Sequence, residues 1–336
     1  MMKAVLESPR VVRVASAEPA VAARDEALVR LRMAGICGSD LAAYRGHSPL
    51  VTYPRVLGHE LLVDILRCPS RPDLEGRRAV VDPKFACGHC KACRQGRPNC
   101  CIDLHVMGVH IDGGLQEVRA LDARHLIPVP DGMPDDAAVL AEPLTIAYHA
   151  VQRSLVDAGK TAVVLGAGAI GLLIARLLVR ARGCRALVAD VDPGRLSLAR
   201  SLGAAPLEGN EETLVAGVTR ATGGEMAEIV FEATGDARAT ALTTALVGHA
   251  GRIVLVGWNA RPVALDTVTL MRKEVDLLGS RNSVDAFPAV LQLLADGIID
   301  PGVLITHRFN LAATADALAI LDERREPALK VLITSS

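Results

Sequence analysis

Aromatic side chains are nearly missing from this chain: of its 336 residues, one is Trp, three are Tyr and four are Phe. A single-strand nucleic-acid binder needs rings on which bases stack, and an excess of cations to follow the phosphates. Lys plus Arg total 37 against 38 for Asp plus Glu, so both requirements fail and a nucleic-acid partner is excluded. Also lacking is an unbroken apolar run of membrane-spanning length. The most apolar window, TAVVLGAGAIGLLIARLLV, is interrupted by Arg176 and by three glycines. The opening residues MMKAVLESPRVVRV hold no long apolar h-region, so the expectation is a cytoplasmic protein with no membrane partner. Thiols stay reduced in that compartment, which turns the eight cysteines away from disulfides and toward metal.

Half of the residues are hydrophobic, and the length suits two domains of ordinary size. Up to about residue 140 the chain reads as short β segments (KAVLE, ALVRLRMAG, RRAVVDP, LQEVRAL) broken by Gly, Pro or Asp. Beyond Gly159 the texture changes to strands that alternate with helices. TAVVLGAG precedes the helical AIGLLIARLLVRAR, and CRALVADVD precedes PGRLSLARSLGA. EIVFEATG, GRIVLVGW and DLLGS are further strands, with a helix expected over ATALTTALVGHA. The fold class is therefore α/β, with a doubly wound parallel sheet in the second part. A helix over DAFPAVLQLLADG, the segment ITHRFNL, another helix and the strand LKVLIT complete the chain, with domain edges near residues 143 and 286.

Gly166, Gly168 and Gly171 stand in GAGAIG between a strand and a helix, with Ala169 and Ile170 inside the turn. In that context the first glycine permits the tight turn, the second lets the backbone approach a pyrophosphate, and the third lets helix and strand pack closely. Asp190 ends the next strand, where a carboxylate bonds both hydroxyls of an adenosine ribose and repels a 2′-phosphate. NAD is expected over NADP, although Arg195, five residues on, is a cation that could accept a phosphate.

Cys87, Cys90 and Cys93 are spaced C-x2-C-x2-C, and Cys100 and Cys101 follow in the same stretch. Four thiolates on one compact loop suit tetrahedral zinc, and a filled shell makes such a site structural. Simple geometry admits one of Cys100 and Cys101 as the fourth ligand. A second set is dispersed: Cys37 in GICGSD, His59 and Glu60 in RVLGHE, and Glu142 in LAEPL. Together they offer soft, intermediate and hard ligands to one ion, with room for water or a substrate oxygen.

With GICGSD, YPRVLGHE, the four-cysteine lobe, LAEPL, VLGAGAIG and FEATG in one chain, the sequence resembles the zinc-dependent medium-chain dehydrogenases of the sorbitol and threonine dehydrogenase branch. YPRVLGHE, GRPNCC, GVHIDGG, RKEVDLLGSRNS and THRF are most similar to sugar-acid oxidoreductases acting on L-galactonate or L-gulonate. The resemblance implies a GroES-like catalytic domain built from residues 1–142 and 286–336, with a zinc lobe at 87–101, around a Rossmann NAD-binding domain at 143–285. It implies two zinc ions per subunit. Cys87, Cys90, Cys93 and Cys101 match the structural site, and Cys37 and His59 match catalytic ligands completed by Glu60 or Glu142. Ser39 matches the hydroxyl that takes the substrate proton, while Thr234, Val256 and Gly257 are further cofactor contacts.

The implied reaction passes a hydride between a secondary alcohol and NAD, run as alcohol oxidation or ketone reduction. Where the family often has an outer relay histidine, this chain has Ala42, so Tyr44 or His47 could substitute. Arg281 falls where relatives place a residue reaching the substrate, and a guanidinium there could clamp a carboxylate; His110 could line the same place. The resemblance also implies a homodimer or homotetramer joined through Rossmann sheet edges. Two alternatives stand beside the sugar-acid reading: a dehydrogenase of a neutral polyol, cyclitol or amino alcohol, and a non-catalytic NAD- and zinc-binding scaffold.

Overall fold

Alternation of apolar and polar side chains sets the first strands. β1 (Met2–Ser8) buries Ala4 and Leu6, pairs with β2 (Val11–Ser16), and is joined on its other edge by β4 (Arg55–Val56). β3 (Glu26–Gly35) buries Ala27, Val29, Leu31 and Met33 while Arg30 and Arg32 face solvent. The computed structural model describes residues 1–18, 20–259, 261–323 and 327–335. Within it the chain divides into one unit made of Met1–Glu142 with Phe287–Ser336 and another made of Pro143–Ala286.

The first unit is built on a mixed sheet whose strands come from both ends of the chain. β5 (Glu60–Arg67), β6 (Arg78–Val81), β9 (Val118–Asp122) and β10 (Leu126–Pro128) precede the other unit; β17 (Ile305–Asn310) and β18 (Lys330–Thr334) follow it. The order is β10-β6-β5-β3-β18-β17, with β9 also paired to β3. β18 lies antiparallel to β3, Leu332 opposite Gly35, and this brings its first residue beside the end of β3. α1 (Gly38–Tyr44) follows β3 directly. β7 (Lys84–Phe85) and β8 (His105–Val106) form a two-stranded ribbon that brackets the short α2 (Lys91–Arg94). α3 (Asp135–Val139) and the start of α4 (Ala141–Ser154) precede the other unit, and α10 (Phe287–Ala295) and α11 (Thr314–Glu323) come after it. Leu6, Val29, Leu31, Leu61, Val63, Ile65 and Val331 share one apolar core.

Strands of the second unit read as continuous apolar runs, as strands covered on both faces must. They are β11 (Thr161–Leu165), β12 (Arg185–Ala189), β13 (Ala205–Leu207), β14 (Ala227–Glu232), β15 (Val247–Leu255) and β16 (Asp276–Gly279). Val163, Val164, Leu187, Val188, Val230 and Phe231 are each 0% exposed. All pairings are parallel, in the order β13-β12-β11-β14-β15-β16, so the winding direction reverses between β11 and β14. The connecting helices are α5 (Ala169–Arg182), α6 (Pro193–Ser201), α7 (Glu211–Ala221), α8 (Ala237–Leu246) and α9 (Thr267–Lys273). Asp192, Asn210, Asp236 and Asp266 cap the last four through side-chain oxygens that accept first-turn N–H groups.

The sequence reading carries the helix over ATALTTALVGHA too far. α8 stops at Leu246, because Val247 is extended (φ −81°, ψ 139°) and begins β15 opposite Ala227. The helix expected from Asp285 likewise begins at Phe287, since Asp285 has φ +45°. α7 and α9 are absent from that reading, although Asn210 and Asp266 signal their starts. Among the described residues no helix is long and apolar enough to cross a membrane.

Candidate active site

The cysteine-rich stretch folds around its own sulfur atoms. Cys90 N–H donates to Cys87 Sγ (3.3 Å), Cys87 N–H to Cys101 Sγ (3.3 Å), and Asp103 N–H to Cys101 Sγ (3.4 Å). The Sγ atoms of Cys87, Cys90, Cys93 and Cys101 all lie within 4.8 Å of one another, and Cys100 is outside this group. Backbone N–H groups of Cys93 and Ile102 pull the Cys90 thiol down to about 6. Burial, together with hydrogen bonds to the neighbouring sulfurs, pushes Cys93 up to about 12. Four convergent sulfurs held by amide donors are a donor set that fits a tetrahedral zinc ion.

The dispersed set also converges. Cys37 is the N-cap of α1, and its N–H donates to Asp40 Oδ2 at 2.9 Å. The other oxygen of Asp40 accepts from Gly58 N–H at 3.3 Å and stands 3.7 Å from His59 Nδ1, an atom with no hydrogen-bond partner among the described residues. Gly58 takes φ +95°, a left-handed conformation natural to glycine, and so turns His59 and Glu60 inward at the start of β5. Ligand atoms of Cys37, His59 and Glu60 lie within 4.8 Å of one another. Ser39 Oγ lies 3.3 Å from His59 Nε2, and Ser39 itself is exposed. A thiolate, an imidazole and a carboxylate gathered in this way fit zinc with an open position.

Electrostatics decide how so many acids share the place. Asp40, Glu60 and Glu142 are all buried. The compensating cation is Lys330, 3% exposed, whose ammonium donates to both Glu60 oxygens (2.8 and 2.7 Å) and to the Ile36 carbonyl (3.2 Å). Burial works against a charged Lys330, but Glu60 and Cys37 outweigh it and raise its pKa. For His59, burial is likewise outweighed, here by Asp40, Cys37 and Glu142, and the imidazole is held well above its ordinary range. Glu142, at the start of α4, is pushed up to about 7 chiefly by burial, against the pull of His59. Asp40 and Lys330 were missed by sequence reasoning. Asp40 is signalled by its place three residues into the helix that Cys37 caps, whereas nothing near Lys330 in the chain marks it.

Within the second unit, Gly166 has φ +99° and Gly168 caps α5 without a side chain. A Cβ on Gly171 would sit 1.8 Å from the Gly166 carbonyl oxygen, so the third glycine is dictated by packing, while a Cβ on Gly168 would meet open space. The first-turn N–H groups of α5, including those of Ala169 and Ile170, lie at that open end. Asp190 accepts from Ala167 N–H (2.6 Å) and Asp192 N–H (2.9 Å), which fixes its carboxylate beside the glycine turn. Arg195 stands 3.8 Å from Asp192, a loose and half-exposed pair. Thr234 donates both its N–H and its hydroxyl to Glu232 Oε1, and the N–H groups of Val256 and Gly257 both donate to the Glu232 carbonyl.

Four further candidates are placed differently. Tyr44 is five residues beyond Ser39 on α1, about 140° around the helix, and is 8% exposed within the apolar core. It does not stand beside the Ser39 hydroxyl. His110 Nδ1 accepts from Val106 N–H at 3.0 Å and closes a turn after β8. Arg281 is exposed in the bend after β16. His47 is exposed just past α1, near enough to Asp322 to lower that acid's pKa behind the stronger effects of Arg45 and Arg10.

Residues 23–131 match the alcohol dehydrogenase GroES-like domain family, and residues 169–296 match the zinc-binding dehydrogenase family. A zinc-type alcohol dehydrogenase-like protein of Haemophilus influenzae is 38% identical over 97% of this chain and 96% of its own. L-galactonate-5-dehydrogenase of Escherichia coli is 37% identical over 87% of this chain and 86% of its own. Among solved structures, the RspB alcohol dehydrogenase of E. coli CFT073, complexed with NADH, superposes with a TM-score of 0.93 at 33% identity, covering 99% of both chains.

Two outcomes are expected. Cys101→Ser removes one zinc equivalent and lowers the melting temperature, whereas Cys100→Ser leaves both unchanged; metal analysis and thermal melts of the two variants check this, and equal behaviour counts against the assignment of Cys101. Zinc held by Cys37 and His59 would compete with the protons favoured by the raised pKa of His59 and by Glu142, whose pKa is pushed up to about 7. Its affinity therefore falls as pH falls, by about tenfold per unit for each proton displaced. Chelator competition between pH 6 and 8 measures it, and a flat profile rejects the coupling.

Proposed function

Because the chain belongs to the zinc-dependent alcohol dehydrogenase family of medium-chain dehydrogenases, we propose that it oxidises a secondary alcohol of a sugar acid or polyol, with NAD as hydride acceptor. The observation that carries this reading is the convergence of Cys37, His59 and Glu60 beside the exposed Ser39 hydroxyl. Zinc held by Cys37, His59 and either Glu60 or Glu142 supplies a Lewis acid to the alcohol oxygen, and NAD on the Gly166–Gly171 turn supplies the hydride acceptor.

The residues divide the remaining work. Ser39 Oγ takes the substrate hydroxyl proton and releases its own outward. Ala42 offers no group to continue a relay, so the proton leaves to water at the exposed serine. Asp40 faces His59 Nδ1, which leaves Nε2 for the metal. Lys330 holds Glu60 by both oxygens and offsets the charge that the acids bring to a buried place. Asp190 disfavours a 2′-phosphate, so NAD is the cofactor of choice over NADP.

Similarity to L-galactonate-5-dehydrogenase, together with Arg281, favours an aldonic acid over a neutral polyol. A guanidinium recognises a carboxylate by two parallel hydrogen bonds, which a hydroxyl cannot return. In a screen of NAD reduction over aldonic acids, polyols and cyclitols, acids are expected to lead. Arg281→Ala should raise KM for acids much more than for uncharged alcohols. Preference for neutral polyols by a wide margin would reject the carboxylate clamp.

The same reading extends to assembly and location. β16 is the edge strand of its sheet, with Leu277 42% exposed, and α9, which precedes it in the chain, exposes Val268 and Met271 (58% and 75%). An apolar strand edge invites pairing with its own copy about a two-fold axis, which gives a homodimer of joined sheets. A cytoplasmic enzyme is the accompanying reading. Leu277→Arg is expected to yield monomers in sedimentation runs where the parent chain is dimeric; a monomeric parent, or a variant that stays dimeric, speaks against this edge.

A further inference from the structure

Glu232 has no role in the reading above, yet it is the one buried acid among the described residues of its unit, 1% exposed at the last position of β14. Lys160, Arg195, Arg238 and Arg252 of that unit pair with Glu228, Asp192, Asp236 and Asp276 instead. Burying a carboxylate is costly unless it organises something around it. Glu232 Oε1 accepts from Thr234 N–H (2.7 Å), Gly235 N–H (3.0 Å) and the Thr234 hydroxyl. Its backbone carbonyl accepts from Val256 N–H (2.8 Å) and Gly257 N–H (2.9 Å). A Cβ on Gly257 would fall 2.7 Å from Glu232 Oε2, and a Cβ on Gly166 would fall 2.8 Å from Thr234 Cγ2. One residue thus sets the carboxyl ends of β14 and β15 and, through Thr234, abuts the glycine turn after β11.

Strand order says what lies above those ends. A dinucleotide crosses a doubly wound sheet at the carboxyl ends of the strands on either side of the reversal, which here falls between β11 and β14. With pyrophosphate on the turn after β11 and the adenosine ribose at Asp190 after β12, the nicotinamide is left to β14 and β15. The oxidised ring carries a positive charge that the reduced ring lacks. We propose that Glu232 is a positioning residue for the nicotinamide end of the cofactor, and that its carboxylate beneath Gly257 favours the cationic oxidised ring over the neutral reduced one. This rests on the reading of the unit as an NAD site.

The proposal is tested by direct titration of NAD+ and NADH, by calorimetry or fluorescence, on the full chain and on Glu232→Gln, Glu232→Asp and Thr234→Val. Glu232→Gln keeps an oxygen for the Thr234 and Gly235 N–H groups and removes only the charge. It is expected to weaken NAD+ about fivefold while NADH changes less than about twofold, the sense required when a unit charge near a cationic ring is lost. Glu232→Asp retains the charge and should keep the parent affinity ratio. Thr234→Val loses one hydrogen bond and should weaken both nucleotides alike. Should the glutamine variant not fold, Glu232→Ala removes the same charge and reports the same ratio. An unchanged ratio in a charge-free variant that still binds overturns the proposal alone. Failure of the parent chain to bind either nucleotide takes down the NAD reading, and the proposal with it.

Discussion

The centre of this protein depends on one buried ion pair. Cys37, Asp40, Glu60 and Glu142 crowd around His59 in a place largely shut off from water, and repulsion among them would open it if nothing answered their charge. Lys330 answers it, gripping Glu60 by both oxygens and anchoring its third hydrogen bond on the Ile36 carbonyl, immediately before Cys37. Such a pair adds little to stability beyond what an apolar substitute would give. Losing one member costs about 3–5 kcal/mol because the other is left buried and alone. Gly35 makes room for this arrangement, since a Cβ there would fall 1.9 Å from Glu60 Oε2.

The second unit solves a different problem with the same economy of side chains. Its glycine turn is held from three sides: by Asp190 through the Ala167 N–H, by α5 packing against the Gly166 carbonyl at Gly171, and by Thr234 against Gly166. Rigid backbone N–H groups at the start of α5 need no reorganisation to receive an anion, which is the advantage of building a phosphate site from main chain rather than from long cationic side chains.

Groups that act through local spacing were legible in the sequence. Cys87, Cys90 and Cys93 are spaced for one ion, and Gly166, Gly168 and Gly171 follow a strand and open a helix. His59 and Glu60 are neighbours in the chain. The expected fold class and the zinc dehydrogenase resemblance agree with both family matches and with the superposed alcohol dehydrogenase. What escaped depends on register between distant strands. Lys330 reaches Glu60 only because β18 lies antiparallel to β3, across 270 positions of sequence. Tyr44 was read by its nearness to Ser39 along the chain, and the helical angle turned it into the core instead. Glu232 looked like one more letter of a strand until the hydrogen bonds to its carboxylate and its carbonyl were seen together.

The discontinuity of the first unit has a bearing on biosynthesis. Pro143–Ala286 is a single stretch and can fold as soon as it leaves the ribosome. Its companion has β5 along one side of the end of β3 but lacks β18 on the other until that strand has emerged, and until then the counter-ion of Glu60 is missing. A nascent chain therefore carries a finished nucleotide fold well before its redox centre can assemble.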